Sequence, residues 1–114
     1  MEASFVEMRM FSQHRSHYLD DQAFVDVQQV LLLHPEVGDV IANTGGLRKA
    51  RFSDGKRGKG KRGGLRIIYY WWQAGGQIWL FTLYDKDELE DLSYDQRKLL
   101  KHLLESEIKV RKRP

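Results

Sequence analysis

The sequence predicts an α+β domain with a single four-stranded antiparallel sheet, packed by two N-terminal helices and one C-terminal helix. Two long runs of aromatic and β-branched residues, 65–72 and 77–84, flank the turn residues 73–76 and predict a central hairpin. Apolar residues at helical spacing lie before and after this hairpin. A chain of 114 residues has the length of one domain with one modest core.

The N-terminal half is predicted to begin with a strand and two helical segments before the chain returns to the sheet. Asp20 or Asp21 can cap the longer helix, and Pro35 ends it. The Gly45-Gly46 pair marks a loop before the next strand. In chain order the predicted elements are a strand at 5–10, one or two helical turns at 11–18, a helix from about 21 to 34 and a strand at 47–52.

The C-terminal helix is predicted from a capping pattern and a leucine stripe. Ser93 with Gln96 three residues later resembles a capping box. The apolar stripe that follows predicts packing on the sheet and consists of Leu92, Leu99, Leu100, Leu103 and Leu104. Residues 109–114 are predicted to form a basic tail, which leaves 1–108 as the folded domain.

Positive charge is concentrated in one part of the chain. Residues 47–66 carry nine cations and one acid, a local charge of +8 in a chain whose net charge is +3. The rest of the chain therefore sums to −5, and such segregation is the electrostatic footprint of nucleic-acid binding. The cations are Arg48, Lys49, Arg51, Lys56, Arg57, Lys59, Lys61, Arg62 and Arg66.

Strand directions predict where this charge lies. If the strand at 47–52 pairs antiparallel with 65–72, the loop between them and Arg66 lie at the end of the sheet opposite the Gly75-Gly76 turn. Tyr84 and Lys86 return to that same end. Arg66 has two interpretations, a rim arginine paired with an acid or a guanidinium that binds phosphate, and its basic surroundings favour the second.

Other signals are weaker on their own. The string from Gly55 to Lys61 matches the spacing of a nucleotide-binding P-loop, but Arg62 stands where Ser or Thr must bind magnesium and no helix follows. The aromatic residues of the hairpin could form a base-stacking surface, but their run-like placement favours the core. Tyr84 is the exception because it lies at the charged end.

Several classes of protein are excluded or disfavoured. The chain has no cysteine and only four scattered histidines, which predicts no metal site and no cofactor. No run of about 18 apolar residues could span a membrane, and no secretory signal is evident, so a cytoplasmic protein is expected. The basic end carries no carboxylate cluster for a two-metal nuclease. A ribonuclease could still work there if cations stabilised the attack of a 2′-hydroxyl on the adjacent phosphorus.

Four segments carry a family resemblance. They are GDVI at 38–41, TGGLRK at 44–49, GKGKRGGLRIIYY at 58–70 and LYDK at 83–86. Together they resemble the RelE/HigB toxin superfamily, most closely its HigB branch, over about residues 5–104. The resemblance implies a small bacterial toxin with a microbial-RNase-like fold that cleaves mRNA in the ribosomal A site without a metal. It also implies a cognate antitoxin, of helix-turn-helix type, as the partner.

The resemblance also assigns roles to residues. Arg66 matches the strand arginine that contacts the scissile phosphate, and Lys86 matches a cation after the last strand. Arg51, Lys59 and Lys61 match basic residues of the preceding strand and loop. The remaining cations of the basic segment, Arg48, Lys49, Lys56, Arg57 and Arg62, are expected to bind RNA or the ribosome.

The chain departs from RelE at two positions. Asp87 stands where RelE has an arginine, and Ser93, next to Tyr94, stands where RelE has a tyrosine. The group that accepts the proton of the nucleophile is therefore open among Tyr84, Lys59 and Lys61. A non-catalytic RNA- or ribosome-binding protein is the rival interpretation, and a DNA-binding module is weaker because no recognition-helix motif accompanies the charge.

Overall fold

A computed structural model describes residues 3–53 and 64–112 of the chain. Four strands follow one another between the N-terminal helices and the last helix, an α+β arrangement that confirms the predicted class. In chain order they are β1 (Ser4–Glu7), α1 (Arg9–Tyr18), α2 (Asp21–Leu33), β2 (Asp39–Val40), β3 (Arg48–Phe52), β4 (Leu65–Trp72), β5 (Gln77–Asp85) and α3 (Tyr94–Arg111).

The sheet has five strands in the order β1-β5-β4-β3-β2, and it is mixed. The prediction of four antiparallel strands was wrong in two respects. β1 pairs parallel to β5, which the long intervening chain of two helices and three strands allows, whereas a tight turn could not. β2 has only two residues, Asp39 and Val40, too few to produce an alternating pattern in the sequence.

The first strand is shorter than predicted, and the helix after it is longer. The Met8 N–H donates to the Leu80 carbonyl oxygen (2.8 Å), which is the last sheet contact before α1 begins at Arg9. α1 has ten residues rather than one or two turns. Asp20 is the N-cap of α2, because its side chain accepts a hydrogen bond from the Ala23 N–H (2.8 Å).

Helices cover both faces of the sheet, and each face has its own core. α1 and α2 cover one face, where the core includes Phe11, Leu31 and Ile67. α3 covers the other, where Leu100 and Leu104 pack with a second set of buried residues that includes Trp79. We call these the α1/α2 face and the α3 face. No helix in the two described ranges is long and apolar enough to cross a membrane.

The predicted capping box of α3 is confirmed. Ser93 Oγ accepts from the Gln96 N–H (3.1 Å), and Gln96 Oε1 accepts from the Ser93 N–H (2.8 Å). The leucine stripe is narrower than predicted, since Leu99 is 52% exposed and Leu103 39% exposed on the flank of the helix. The helix continues through residues 109–111, so the segment assigned to the tail contributes its last turn.

A β-bulge in β5 changes the direction of the side chains that follow it. Ile68 pairs with Thr82 and Tyr69 pairs with Leu80, so Phe81 has no partner residue opposite it. Phe81 belongs to the core of the α3 face, and strict alternation from it would send Tyr84 to the α1/α2 face. The extra residue reverses the alternation and leaves Tyr84 on the α3 face.

One buried tyrosine fastens the loop after α2 to the sheet. The Tyr69 hydroxyl accepts from the Gly38 N–H (2.9 Å) and donates to the Pro35 carbonyl oxygen (2.7 Å). A Cβ at Gly38 would lie 2.9 Å from the Lys49 backbone and from the Tyr69 ring, so glycine allows this close approach.

Replacing Tyr69 by Phe should destabilise the fold by about 1–3 kcal/mol, because the buried Gly38 N–H would lose its acceptor. Urea denaturation of the purified protein would measure the loss. Tyr70→Phe is the matched control and should cost much less, since Tyr70 is only half-buried. Equal losses for the two variants would contradict this assignment.

Candidate nucleic-acid interface

Three polar side chains form a row across the three central strands. Arg51 pairs with Arg66 between β3 and β4, and Arg66 pairs with Tyr84 between β4 and β5. Residues directly opposite one another point to the same face, here the α3 face. The row lies at the end of the sheet away from the β4–β5 turn, as the strand directions predicted.

A cleft of about 570 Å³ opens beside this row. It is lined by four cations and two acids, namely Lys49, Arg51, Arg66, Lys86, Glu90 and Asp91. Lys49 lies two residues before Arg51 on β3 and therefore faces the same way. The excess of cations in a concave site favours an anionic ligand.

Arg66 is the most enclosed cation of the cleft, with 8% of its surface exposed. Its Nη1 donates to the carbonyl oxygen of Leu65 (3.4 Å), and its backbone is fixed by strands on both sides. Such a guanidinium keeps its orientation more firmly than a lysine on a loop. It is suited to two parallel hydrogen bonds with a phosphate.

Lys86 is placed by the turn that follows β5. The backbone N–H of Lys86 donates to the Gly64 carbonyl oxygen (2.8 Å), which keeps the turn beside the start of β4. Within the turn, the Asp85 carboxylate is fully buried and accepts from the Asp87 N–H (2.9 Å). The Lys86 side chain itself is exposed and can reach a ligand in the cleft.

Asp91 lines the cleft and connects β3 to α3. One carboxylate oxygen lies 3.3 Å from Lys49 Nζ, and the other lies 3.0 Å from Arg97 Nη2. The hydrogen bond from the Leu92 N–H is the largest cause of the lowered pKa of Asp91, and the two cations lower it further. Asp91 is therefore ionised at neutral pH. It fixes the segment before α3 against β3, although each partly exposed ion pair contributes little stability.

Tyr84 lies where the cleft meets the apolar core, with 7% of its surface exposed. Its hydroxyl is buried and makes no hydrogen bond in the described part of the chain. Burial raises the pKa of Tyr84, and the Asp91 carboxylate raises it further, against the opposing effect of Arg66 and Arg97. The side chain is thus a neutral phenol at physiological pH, able to donate a hydrogen bond or a proton.

The structure separates one predicted RNA-binding residue from the others. Arg48 pairs with Tyr69 and lies on the α1/α2 face, where its Nη1 donates to the carbonyl oxygens of Gly38 (2.8 Å) and Glu36 (3.3 Å). It therefore fastens the loop before β2. The five predicted cations of the loop, Lys56, Arg57, Lys59, Lys61 and Arg62, lie outside the described residues.

The residues that flank this undescribed stretch lie at one end of the sheet. Phe52 pairs with Leu65, so Ser53 and Gly64 flank the last pair of β3 and β4. The chain between them carries a charge of +4 in residues 54–63. The described chain therefore stops and resumes at the end of the sheet that bears Arg51 and Arg66.

Three residues at the site were missed by reasoning from the sequence. Glu90 and Asp91 line the cleft, and Arg97, outside its lining, forms an ion pair with Asp91. The signal available was the acidic segment at 85–91, which follows the β4–β5 hairpin and carries charge opposite in sign to residues 47–66. Charge patterning alone could not assign Asp91 to Lys49, because the two are 42 residues apart in the chain.

No group of three or more His, Cys, Asp or Glu side chains suited to a metal ion occurs within residues 3–53 and 64–112. No protein-family model matches the chain. The resemblance to the RelE/HigB superfamily therefore rests on the sequence segments given above.

Replacing Asp91 by Asn should lower the pKa of Tyr84, because removal of the nearby negative charge favours the phenolate. NMR of tyrosine labelled with ¹³C at Cζ, titrated from about pH 8 to 12, would follow this group. Asp95→Asn removes a charge in the first turn of α3 and serves as the control. An unchanged Tyr84 titration in the Asp91 variant would rule out the electrostatic coupling.

Proposed function

We propose that this protein is an endoribonuclease that cleaves RNA by attack of a 2′-hydroxyl on the adjacent phosphate, without a metal ion. The observation that carries the proposal is the row of Arg51, Arg66 and Tyr84 beside the cationic cleft. In this row an oriented arginine, Arg66, could bind a phosphate, and Tyr84 could transfer a proton. A binding surface alone would need only the charge.

In the proposed reaction the 2′-oxygen forms a bond to phosphorus while the bond from phosphorus to the 5′-oxygen breaks. The 2′-hydroxyl loses its proton to a base, and the departing 5′-oxygen gains one from an acid. A 2′,3′-cyclic phosphate and a 5′-hydroxyl end result. Arg66 would bind two phosphate oxygens and stabilise the charge that accumulates on them, with Arg51 and Lys86 adding to the field.

The protonation state of Tyr84 favours one role for it. A phenol with a raised pKa is a poor base at neutral pH but remains available as a donor. We assign Tyr84 to donate a hydrogen bond to the phosphate or a proton to the 5′-oxygen. Lys59 and Lys61 then remain the candidates for the base, since neighbouring cations can lower the pKa of a lysine.

The biological setting in the proposal comes from the family resemblance. Cleavage of mRNA in the ribosomal A site would stop translation, so the protein would act as the toxin of a bacterial toxin–antitoxin pair in the cytoplasm. A helix-turn-helix antitoxin would neutralise it. The cations of residues 54–63 would bind RNA phosphates as well, and these contacts would not depend on the base sequence.

Replacing Arg66 by Ala should reduce the cleavage rate about 10²- to 10³-fold, the usual cost of losing one group that stabilises transition-state charge. Primer extension on mRNA after induction, and on purified RNA with and without ribosomes, would measure cleavage. Arg66→Lys should recover only part of the rate, because lysine keeps the charge but cannot bind phosphate at two points.

The control is Lys109→Ala, which removes one positive charge from the last turn of α3. That end of the helix lies near the β4–β5 turn, since Arg111 contacts Gln77 (3.2 Å). Cleavage should be unchanged, and thermal unfolding should show that all variants fold. If the wild-type protein binds RNA but leaves it intact in every assay, the non-catalytic RNA-binding function is correct instead.

A further inference from the structure

We propose that a small recess next to Tyr84 binds one nucleobase of pyrimidine size while the attached phosphate occupies the cationic cleft. The inference rests on the proposed function and extends it to the part of the RNA that the site recognises. It is carried by the shape and lining of the recess and by its position relative to Arg66.

The recess has a volume of about 110 Å³ and lies between β5, the start of α1 and the first half of α3. Most of its wall is aliphatic and can pack against the flat faces of a ring. The aliphatic residues are Met10, Leu89, Leu92, Leu99 and Leu100. Among them Leu99 is 52% exposed, which places an apolar side chain at the opening of the recess.

Three polar side chains interrupt this apolar wall. Thr82 and Tyr84 supply hydroxyl groups, and these residues are only 9% and 7% exposed. Gln96 uses its Oε1 to cap α3, which leaves its amide NH₂ for another partner. An apolar slot with a few buried polar groups is the usual form of a small-molecule site, and a nucleobase has apolar faces and a polar edge.

The recess and the cleft share a wall. Leu89 and Leu92 line the recess, whereas Glu90 and Asp91, which lie between them in the chain, line the cleft. Across the sheet, Tyr84 of the recess pairs directly with Arg66 of the cleft. A phosphate bound to Arg66 would therefore have its own nucleoside next to the recess.

Size selects among the bases. A closed, dry cavity of about 150 Å³ in another protein holds benzene. The recess is smaller, about 110 Å³, but it is open on one side, so a single six-membered ring can enter and project partly from it. A purine would need more room than these walls leave. The site would then prefer cytosine or uracil next to the bound phosphate.

The test uses inorganic phosphate and the four nucleoside 3′-monophosphates as probes, with binding to the wild-type protein measured by NMR titration. Phosphate reports on the cleft alone, and the nucleotides report on the cleft and the recess together. Cytidine and uridine 3′-monophosphate should bind about tenfold more tightly than phosphate, as expected when an apolar ring leaves water. The purine nucleotides should show a smaller gain.

Leu99→Trp should fill the opening of the recess. The ratio of the affinity for pyrimidine nucleotides to the affinity for phosphate should then fall to about one. Leu103→Trp is the matched control, since it adds the same ring one turn further along α3 at a residue that does not line the recess. It should keep the wild-type ratio. Thr82→Val, which removes a hydroxyl from a side chain of similar shape, should reduce the ratio about threefold or more.

Equal affinities for phosphate and nucleotides, a preference for purines, or a tenfold gain that survives Leu99→Trp would each overturn the proposal. Its failure is distinct from failure of the endoribonuclease function, which is measured by RNA cleavage. If the protein cleaves RNA but binds nucleotides no more tightly than phosphate, only the base pocket is contradicted. If it binds pyrimidine nucleotides more tightly than phosphate but cleaves no RNA, only the endoribonuclease function is contradicted.

Discussion

The candidate site depends on one irregularity of the sheet, the bulge at Phe81. Up to the bulge, Trp79 and Phe81 of β5 fill the core beneath α3. Beyond the bulge, Tyr84 also points to the α3 face, because the one extra residue reverses the alternation of side chains. In a regular strand Tyr84 would enter the opposite core, and Arg66 would have an apolar neighbour. The bulge thus lets one strand serve both the core and the cleft. Bulges are frequent next to functional sites for this reason.

The cleft also depends on a balance of charge. Four cations near one another would repel, and Asp91 offsets this by contacting Lys49 and, outside the cleft lining, Arg97. Burial is the main cause of the raised pKa of Tyr84, and the same carboxylate raises that pKa further, so one group has both a structural and a chemical effect. An anionic ligand entering the cleft would compete with Asp91 for Lys49. A phosphodiester carries one negative charge, as a carboxylate does, but in the cleft it would gain contacts with Arg66 and Lys86 in addition to Lys49.

Parts of the fold with strong local signals were predictable. β4 spans residues 65–72 as its apolar run indicated, and the Ser93 cap of α3 follows from the spacing of Ser93 and Gln96. The parallel pairing of β1 and the presence of the two-residue β2 could not be predicted, because both are stabilised by contacts with distant strands rather than by their own sequence. In the site, strand direction was enough to bring Arg66 and Tyr84 together, since a hairpin leaves its two open ends side by side. Alternation along β3 already places Arg48 on the face opposite Lys49 and Arg51, but only the structure shows that it binds carbonyl groups of a separate loop.

The sequence by itself determined the α+β class, the central hairpin and the end of the sheet at which positive charge collects. These depend on periodicity, turn residues and chain direction, which are local properties. Tertiary structure decided which side chains lie on the α3 face, through the bulge at Phe81, and which acid balances the cations, through the contact of the segment before α3 with β3. It also formed the recess beside Tyr84, whose walls come from three separate elements. Such features arise only when distant segments meet, so no single stretch of sequence carries their signal.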